Sequence, residues 1–182
     1  MAWNFADYKN LPEVTQRALF EAGLTLHGIQ ATEFILAFCL SWVFPKEANL
    51  TLLDLYAMEP EQQKKTLGQL LHALRQRADI APDLDAKLTE FLAARNRFAH
   101  HLLSDEPTCP DTEAGSAAAI EFMVSLRQLA LDVQNSLMGH FIHWTQNAGV
   151  EGLPEFAQKQ IDASQHLSQL SSTFQRAIHP KH

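Results

Sequence analysis

The sequence predicts an all-α protein, a bundle of about five helices in a single domain spanning residues 1–182. Three observations carry that expectation. Apolar residues recur at steps of three and four along most of the chain, which gathers them on one side of a helix. No segment alternates with period two, and no Asn-Gly or Asp-Gly pair marks a hairpin. Pro12, Pro45, Pro60, Pro82 and Pro154 stand at the junctions between periodic stretches.

Each element follows from these signals. Pro12–Glu13 opens the first helix, because proline at the first helical position forfeits no needed N–H. That helix runs to about Val43, ahead of Pro45. Gly23 and Gly28 weaken its middle and suggest a kink or a close helix contact. Residues 46–58 read as a connection with one helical turn around Leu52, Leu53 and Tyr56. The second helix begins at Pro60, carries the stripe Leu67, Leu70, Leu71, Leu74 and Ala78, and ends near Asp79. The third starts at Pro82–Asp83 with a stripe of Leu84, Leu88, Phe91, Arg95, Phe98 and Leu102. One charged residue, Arg95, thus sits in the middle of an apolar seam. Ser104 to Gly115, with Pro107 and Pro110, is a loop. The fourth helix places Ala119, Met123, Leu126, Ala130, Val133, Leu137, Phe141 and Trp144 on one side and ends at Asn147–Gly149, with Gly139 a possible bend. Pro154 opens the fifth, whose face holds Phe156, Ala163, Leu167, Leu170, Phe174 and Ile178.

At 182 residues and 46% hydrophobic, the chain has ample material for a core. Its two cysteines form neither a disulfide framework nor a zinc pattern, which fits a reducing compartment. Cys39 lies in an apolar run and reads as core, Cys109 as loop. The N-terminus lacks the basic-then-apolar order of a signal peptide. The most apolar run, Phe34–Phe44, falls short of the ~20 residues that span a bilayer. A soluble, cytoplasmic protein with no membrane association is the expectation.

The formal charge is −7, but it is unevenly spread. Residues 60–101 hold 7 basic against 5 acidic groups, half of all Lys and Arg. A broad nucleic-acid groove needs an extended basic surface; this chain offers only a local one. There is no Gly-rich phosphate loop, G-x-S-x-G elbow or H-E-x-x-H pair. His140 and His143 stand at i and i+3 but lack a third ligand with matching spacing, so they read as ordinary side chains.

The decisive stretch is Arg95-Asn96-Arg97-Phe98-Ala99-His100-His101. Four residues that are or become cationic lie close together in an acidic protein. Arginine stays charged and presents a planar fork suited to phosphate, while histidine exchanges a proton near neutral pH. Together they suffice to cleave a phosphodiester, one group stabilising charge and the other moving a proton.

Arg95-Asn96-Arg97-Phe98-Ala99-His100 resembles the R-N-x-x-x-H signature of the HEPN superfamily (higher eukaryotes and prokaryotes nucleotide-binding). Many of its members are metal-independent endoribonucleases of toxin–antitoxin, defence and RNA-processing systems, built as bundles of four or five helices. The resemblance implies Arg95 as the phosphate-stabilising cation, His100 as the proton-transfer residue and Asn96 as the orienting polar group. It also implies a supporting acidic residue from an earlier helix, for which Glu33 is the candidate. Arg97 and His101 are candidate RNA contacts, alongside a merely solvated role. RNA as substrate, a homodimer and a possible antitoxin partner follow from the same resemblance, with no cofactor. Some members carry a tyrosine two positions after the histidine, which a partner nucleotidyltransferase modifies; here His101 and Leu102 follow, so that regulation does not transfer.

Helix geometry adds a constraint. Arg95 and His100 are five apart, roughly 140° around a helix, whereas Asn96 and His100 share a face. Either the helix ends or bends near His100, or two copies meet to assemble the site. A dimer would also cover the apolar residues Phe38, Trp42 and Phe44. Two alternatives remain beside catalysis: Arg95 as a structural arginine paired with Glu33, and the whole bundle as a non-catalytic module binding a partner protein or nucleotide.

Overall fold

The structure, a computed structural model, describes residues 10–44, 65–102, 104–109, 112–148 and 178–180. Among these the protein is an all-α helical bundle. Four helices are present: α1 (Glu13–Trp42), α2 (Leu67–Arg77), α3 (Pro82–His100) and α4 (Glu113–Ala148). A 3₁₀ turn at Glu106–Thr108 precedes α4. The expected turn within residues 46–58, and the fifth helix from Pro154, lie outside the described residues.

The boundaries of α1, α3 and α4 fall within two or three residues of the positions that proline and periodicity indicate. The second helix differs. It begins at Leu67, not Pro60, because Thr66 and Gln69 form a reciprocal capping box: the Gln69 N–H donates to Thr66 Oγ1, and the Thr66 N–H to Gln69 Oε1 at 2.9 Å. It ends at Arg77, and Ala78 turns into extended backbone. Ala78–Ile80 (β1) then pairs antiparallel with Ile178–Pro180 (β2), Ile80 opposite Ile178. Ile178 is therefore a strand residue and not part of a helix face. The loop is also shorter than expected, since α4 starts at Glu113.

The chain forms two compact units, Met1–Ala31 with Glu90–Leu131, and Thr32–Thr89 with Asp132–His182. Each long helix contributes to both. The first unit is built on Ala18, Ala119 and Met123, against which Ala22, Phe98, Leu102, Ile120 and Phe122 pack. Its α1–α4 seam carries polar pairs as well. Thr15 Oγ1 meets Ser116 Oγ at 3.3 Å, and Arg127 pairs with Glu21 while donating to Thr25 Oγ1 at 3.2 Å.

The second unit buries Leu36, Leu40, Leu70, Leu74, Leu84, Leu88, Leu137 and Phe141. Phe38 packs edge-on against Phe141 at 5.0 Å between ring centroids. Phe44 is buried as well, so much of the Phe34–Phe44 run is consumed inside the fold and not held in reserve for a partner. Arg77 closes α1, donating from Nη1 to the Leu40 and Phe44 carbonyls at 2.8 and 3.0 Å. Burial lowers its pKa from the ordinary value. Arg75 ties α2 to α3 through Asp85 at 2.7 Å and Thr89 at 2.7 Å.

Among the described residues, one segment has the length and apolar composition to cross a membrane, Glu13–Ser41, a larger stretch than Phe34–Phe44. A helix in a protein core meets the same description, and this one carries the buried polar residues Thr15, Glu21, Thr25 and Thr32.

Candidate active site

α3 begins with Asp83 and Asp85 in its first turn and finishes with Arg97 and His100 in its last. Each charge opposes the helix dipole at its own end. That is a structural reason for some of the cationic clustering, and it holds with or without a substrate.

The first unit contains every motif residue. Arg95 is half-buried, and its Nη1 donates to Asn96 Oδ1 at 3.4 Å. Asn96, His100 and His101 are exposed. The His100 and His101 rings stand 6.3 Å apart at an interplanar angle of 70°. The seam that Arg95 interrupts is fully buried through Phe91, then only half-buried at Arg95, Phe98 and Leu102. Arg95 thus marks the transition from core to surface along α3.

The helix stays regular to its end. His100 is the last helical residue, and the His101 N–H still reaches the Arg97 carbonyl at 2.8 Å. A five-residue step on a regular helix keeps Arg95 and His100 about 140° apart. No bend between them brings the two onto one side; α3 terminates at His100 instead.

Arg97 is engaged. Its Nε donates to Asp105 Oδ2 at 2.9 Å, and its guanidinium lies 4.6 Å from the centroid of the Phe122 ring. Glu33 is half-buried on α1 but belongs to the second unit, whereas the motif belongs to the first.

Two features escaped sequence reasoning. Among the described residues, the buried acid of the first unit is Glu21, paired with Arg127. Its signal was faint: Arg127 is the one basic residue between positions 98 and 158. Asp105 also escaped notice, since it lies beyond the helix, where periodicity carries no information.

Cys39 is a buried thiol whose Sγ lies 3.7 Å from the Leu137 carbonyl, and burial pushes its pKa up to about 12. It is unsuited to nucleophilic work. Among the described residues, no group of three or more His, Cys, Asp or Glu is placed to hold a metal ion. His140 is buried, and the side chain of His143 lies outside the described residues.

No family model, curated protein or solved structure matches the chain.

Proposed function

We propose that the protein is a metal-independent endoribonuclease of HEPN type, acting in a toxin–antitoxin or defence setting. The observation that carries this reading is the R-N-x-x-x-H set at the surface end of a helix in an all-α bundle, with the histidine open to solvent and the arginine emerging from the core.

In this mechanism His100 takes the proton from a ribose 2′-hydroxyl. The freed oxygen attacks the adjacent phosphorus, and the bond to the 5′-oxygen breaks as that oxygen takes a proton from water. Arg95 stabilises the charge that develops on the phosphoryl oxygens, and Asn96 orients the Arg95 guanidinium through their hydrogen bond. His101 lies beside His100 to meet the RNA backbone. The products are a 2′,3′-cyclic phosphate and a free 5′-hydroxyl. The angular separation of Arg95 and His100 supports a homodimer in which the Arg95 of one copy serves the His100 of the other.

Incubation of the purified protein with RNA in EDTA tests the activity directly. Cleavage should yield cyclic-phosphate ends, and His100→Ala should lose about 10²–10⁴-fold in rate while remaining folded. DNA and 2′-O-methyl RNA should be inert. Equal cleavage by the Arg95→Ala/His100→Ala variant would dismiss the assignment. Light scattering that shows a monomer at micromolar concentration would dismiss the shared site. Growth arrest on expression, absent with His100→Ala, tests the toxin setting.

A second reading is a non-catalytic module that binds a partner protein. It draws on exposed apolar side chains of α1, with Phe20 63% and Phe34 49% accessible. Full partner binding by the doubly substituted, inactive protein would favour it.

A further inference from the structure

We propose that Asp105 and Arg97 form a clasp that positions His100 and His101, making Arg97 a positioning residue and not an RNA contact. The catalytic consequence rests on the ribonuclease reading above; the clasp itself does not.

Arg97 has two partners on different segments. Asp105 receives its Nε–H at 2.9 Å, and Phe122 of α4 lies under its guanidinium. Phe122 in turn packs on the Ala18–Ala119–Met123 core of the same unit, so Arg97 fastens the end of α3 to that core.

The chain beyond α3 folds back onto the same point. The N–H groups of Ser104 and Asp105 both donate to the His101 carbonyl, at 3.0 and 2.9 Å. Ser104 Oγ reaches that oxygen at 3.2 Å. Buried Thr108 donates its hydroxyl to the Leu102 carbonyl at 3.2 Å. The carbonyls at a helix end ordinarily lack partners, and such ends fray. Here Asp105 holds the helix end twice, through its own N–H on His101 and through its carboxylate on Arg97. His100 lies between those two points of attachment.

The same geometry disfavours Arg97 as a phosphate ligand. The Arg97–Asp105 pair is neutral as a whole, so it adds little attraction for a polyanion. A phosphate would have to displace a carboxylate already bonded to Nε, or approach beside that like charge.

The test uses the full chain, with kcat and KM on RNA for Asp105→Asn, Asp105→Glu, Arg97→Lys and Arg97→Ala. A misplaced catalytic group costs rate more than binding, so Asp105→Asn and Arg97→Ala should each lower kcat by roughly 10- to 100-fold with little change in KM. Asp105→Glu, which keeps the carboxylate, should recover most of the loss. The opposite pattern would overturn the clasp: a raised KM at unchanged kcat in Arg97→Ala, with Asp105→Asn neutral or binding more tightly because Arg97 is released. If the wild-type protein cleaves no RNA, the ribonuclease reading fails and the clasp is judged by nuclear magnetic resonance alone. A slowly exchanging Arg97 Nε–H signal, lost in Asp105→Asn together with shifts in the His100 and His101 ring signals, would support it. Ring signals unchanged by Asp105→Asn would overturn it. Should Asp105→Asn fold poorly, the His100 and His101 ring signals are read in Arg97→Ala instead, where shifted signals support the clasp and unchanged ones overturn it.

Discussion

Gly115 shows how one residue is fixed by a neighbour distant from any periodic pattern. A Cβ at this position would fall 1.8 Å from the Cys109 carbonyl oxygen, so the loop and the first turn of α4 fit together only around a hydrogen. Thr112 caps that turn by accepting the Gly115 N–H at 2.9 Å. Gly115→Ala should therefore destabilise the fold by about 1–3 kcal/mol, the usual range for overpacking, measured by urea denaturation. Cys39 makes a contrasting case. Its folded pKa of about 12 lies above the ordinary 9.0. The thiol form is favoured by folding, so its contribution is complete below pH 9.0 and is lost as pH rises from 9.0 towards about 12. Cys39→Ala should flatten the alkaline decline of stability in that window. In the native protein at pH 8, a thiol reagent should spare Cys39.

At the scale of elements, two ties of α1 decide how it sits in each unit. In the first, Arg127 and Glu21 form a largely buried pair, with side chains 25% and 11% exposed. Removing one partner of a buried pair strands the other charge and commonly costs about 3–5 kcal/mol. Arg127→Leu should accordingly destabilise more than the double variant Glu21→Leu/Arg127→Leu, and thermal melts of the single and double variants would show it. In the second unit, Arg77 satisfies the Leu40 and Phe44 carbonyls at the end of α1. Arg77→Ala should expose the amides around Val43 to faster hydrogen exchange, since a helix terminus without a cap opens locally. The start of α2 teaches a related lesson. Pro60 is a valid opening signal, but Thr66-x-x-Gln69 satisfies two N–H groups at once, and that reciprocal pair sets the boundary.

For the molecule as a whole, charge sets the terms on which the proposed RNA substrate would be met. The chain carries −7, and its excess of cations is confined to residues 60–101. Of the motif cations, Arg97 is already paired with Asp105. The proposed substrate is then held through about two or three phosphates. Binding of single-stranded RNA should weaken with salt at a log–log slope near −2, from roughly −0.7 per neutralised phosphate. A slope steeper than about −5 would mean a basic surface that this reading does not contain. Fluorescence anisotropy with the inactive His100→Ala variant would measure it.

The helical class, the limits of α1, α3 and α4, and the buried stripes of α2 and α4 were all legible in the sequence. In α4, each stripe position from Ala119 to Phe141 is buried. Those elements have one apolar side each, so spacing alone reports burial. Spacing gives no such report in α1. Its buried positions include Thr15, Glu21, Thr25 and Thr32, while Phe20, Leu24, Leu26 and Phe34 are exposed. Polar residues are buried there because Ser116, Arg127 and Gln134 of α4 meet them, and a partner 100 residues away leaves no local trace. The candidate site divides in the same way. The motif and the helix that carries it could be read from residue order, because they depend on local spacing and on Pro82, whereas the sequence left open whether that helix ends at His100. The occupation of Arg97 by Asp105 and Phe122 was decided only by tertiary structure. Side-chain contacts between distant segments depend on how helices pack, and a periodic pattern specifies which side of a helix is covered but not by what.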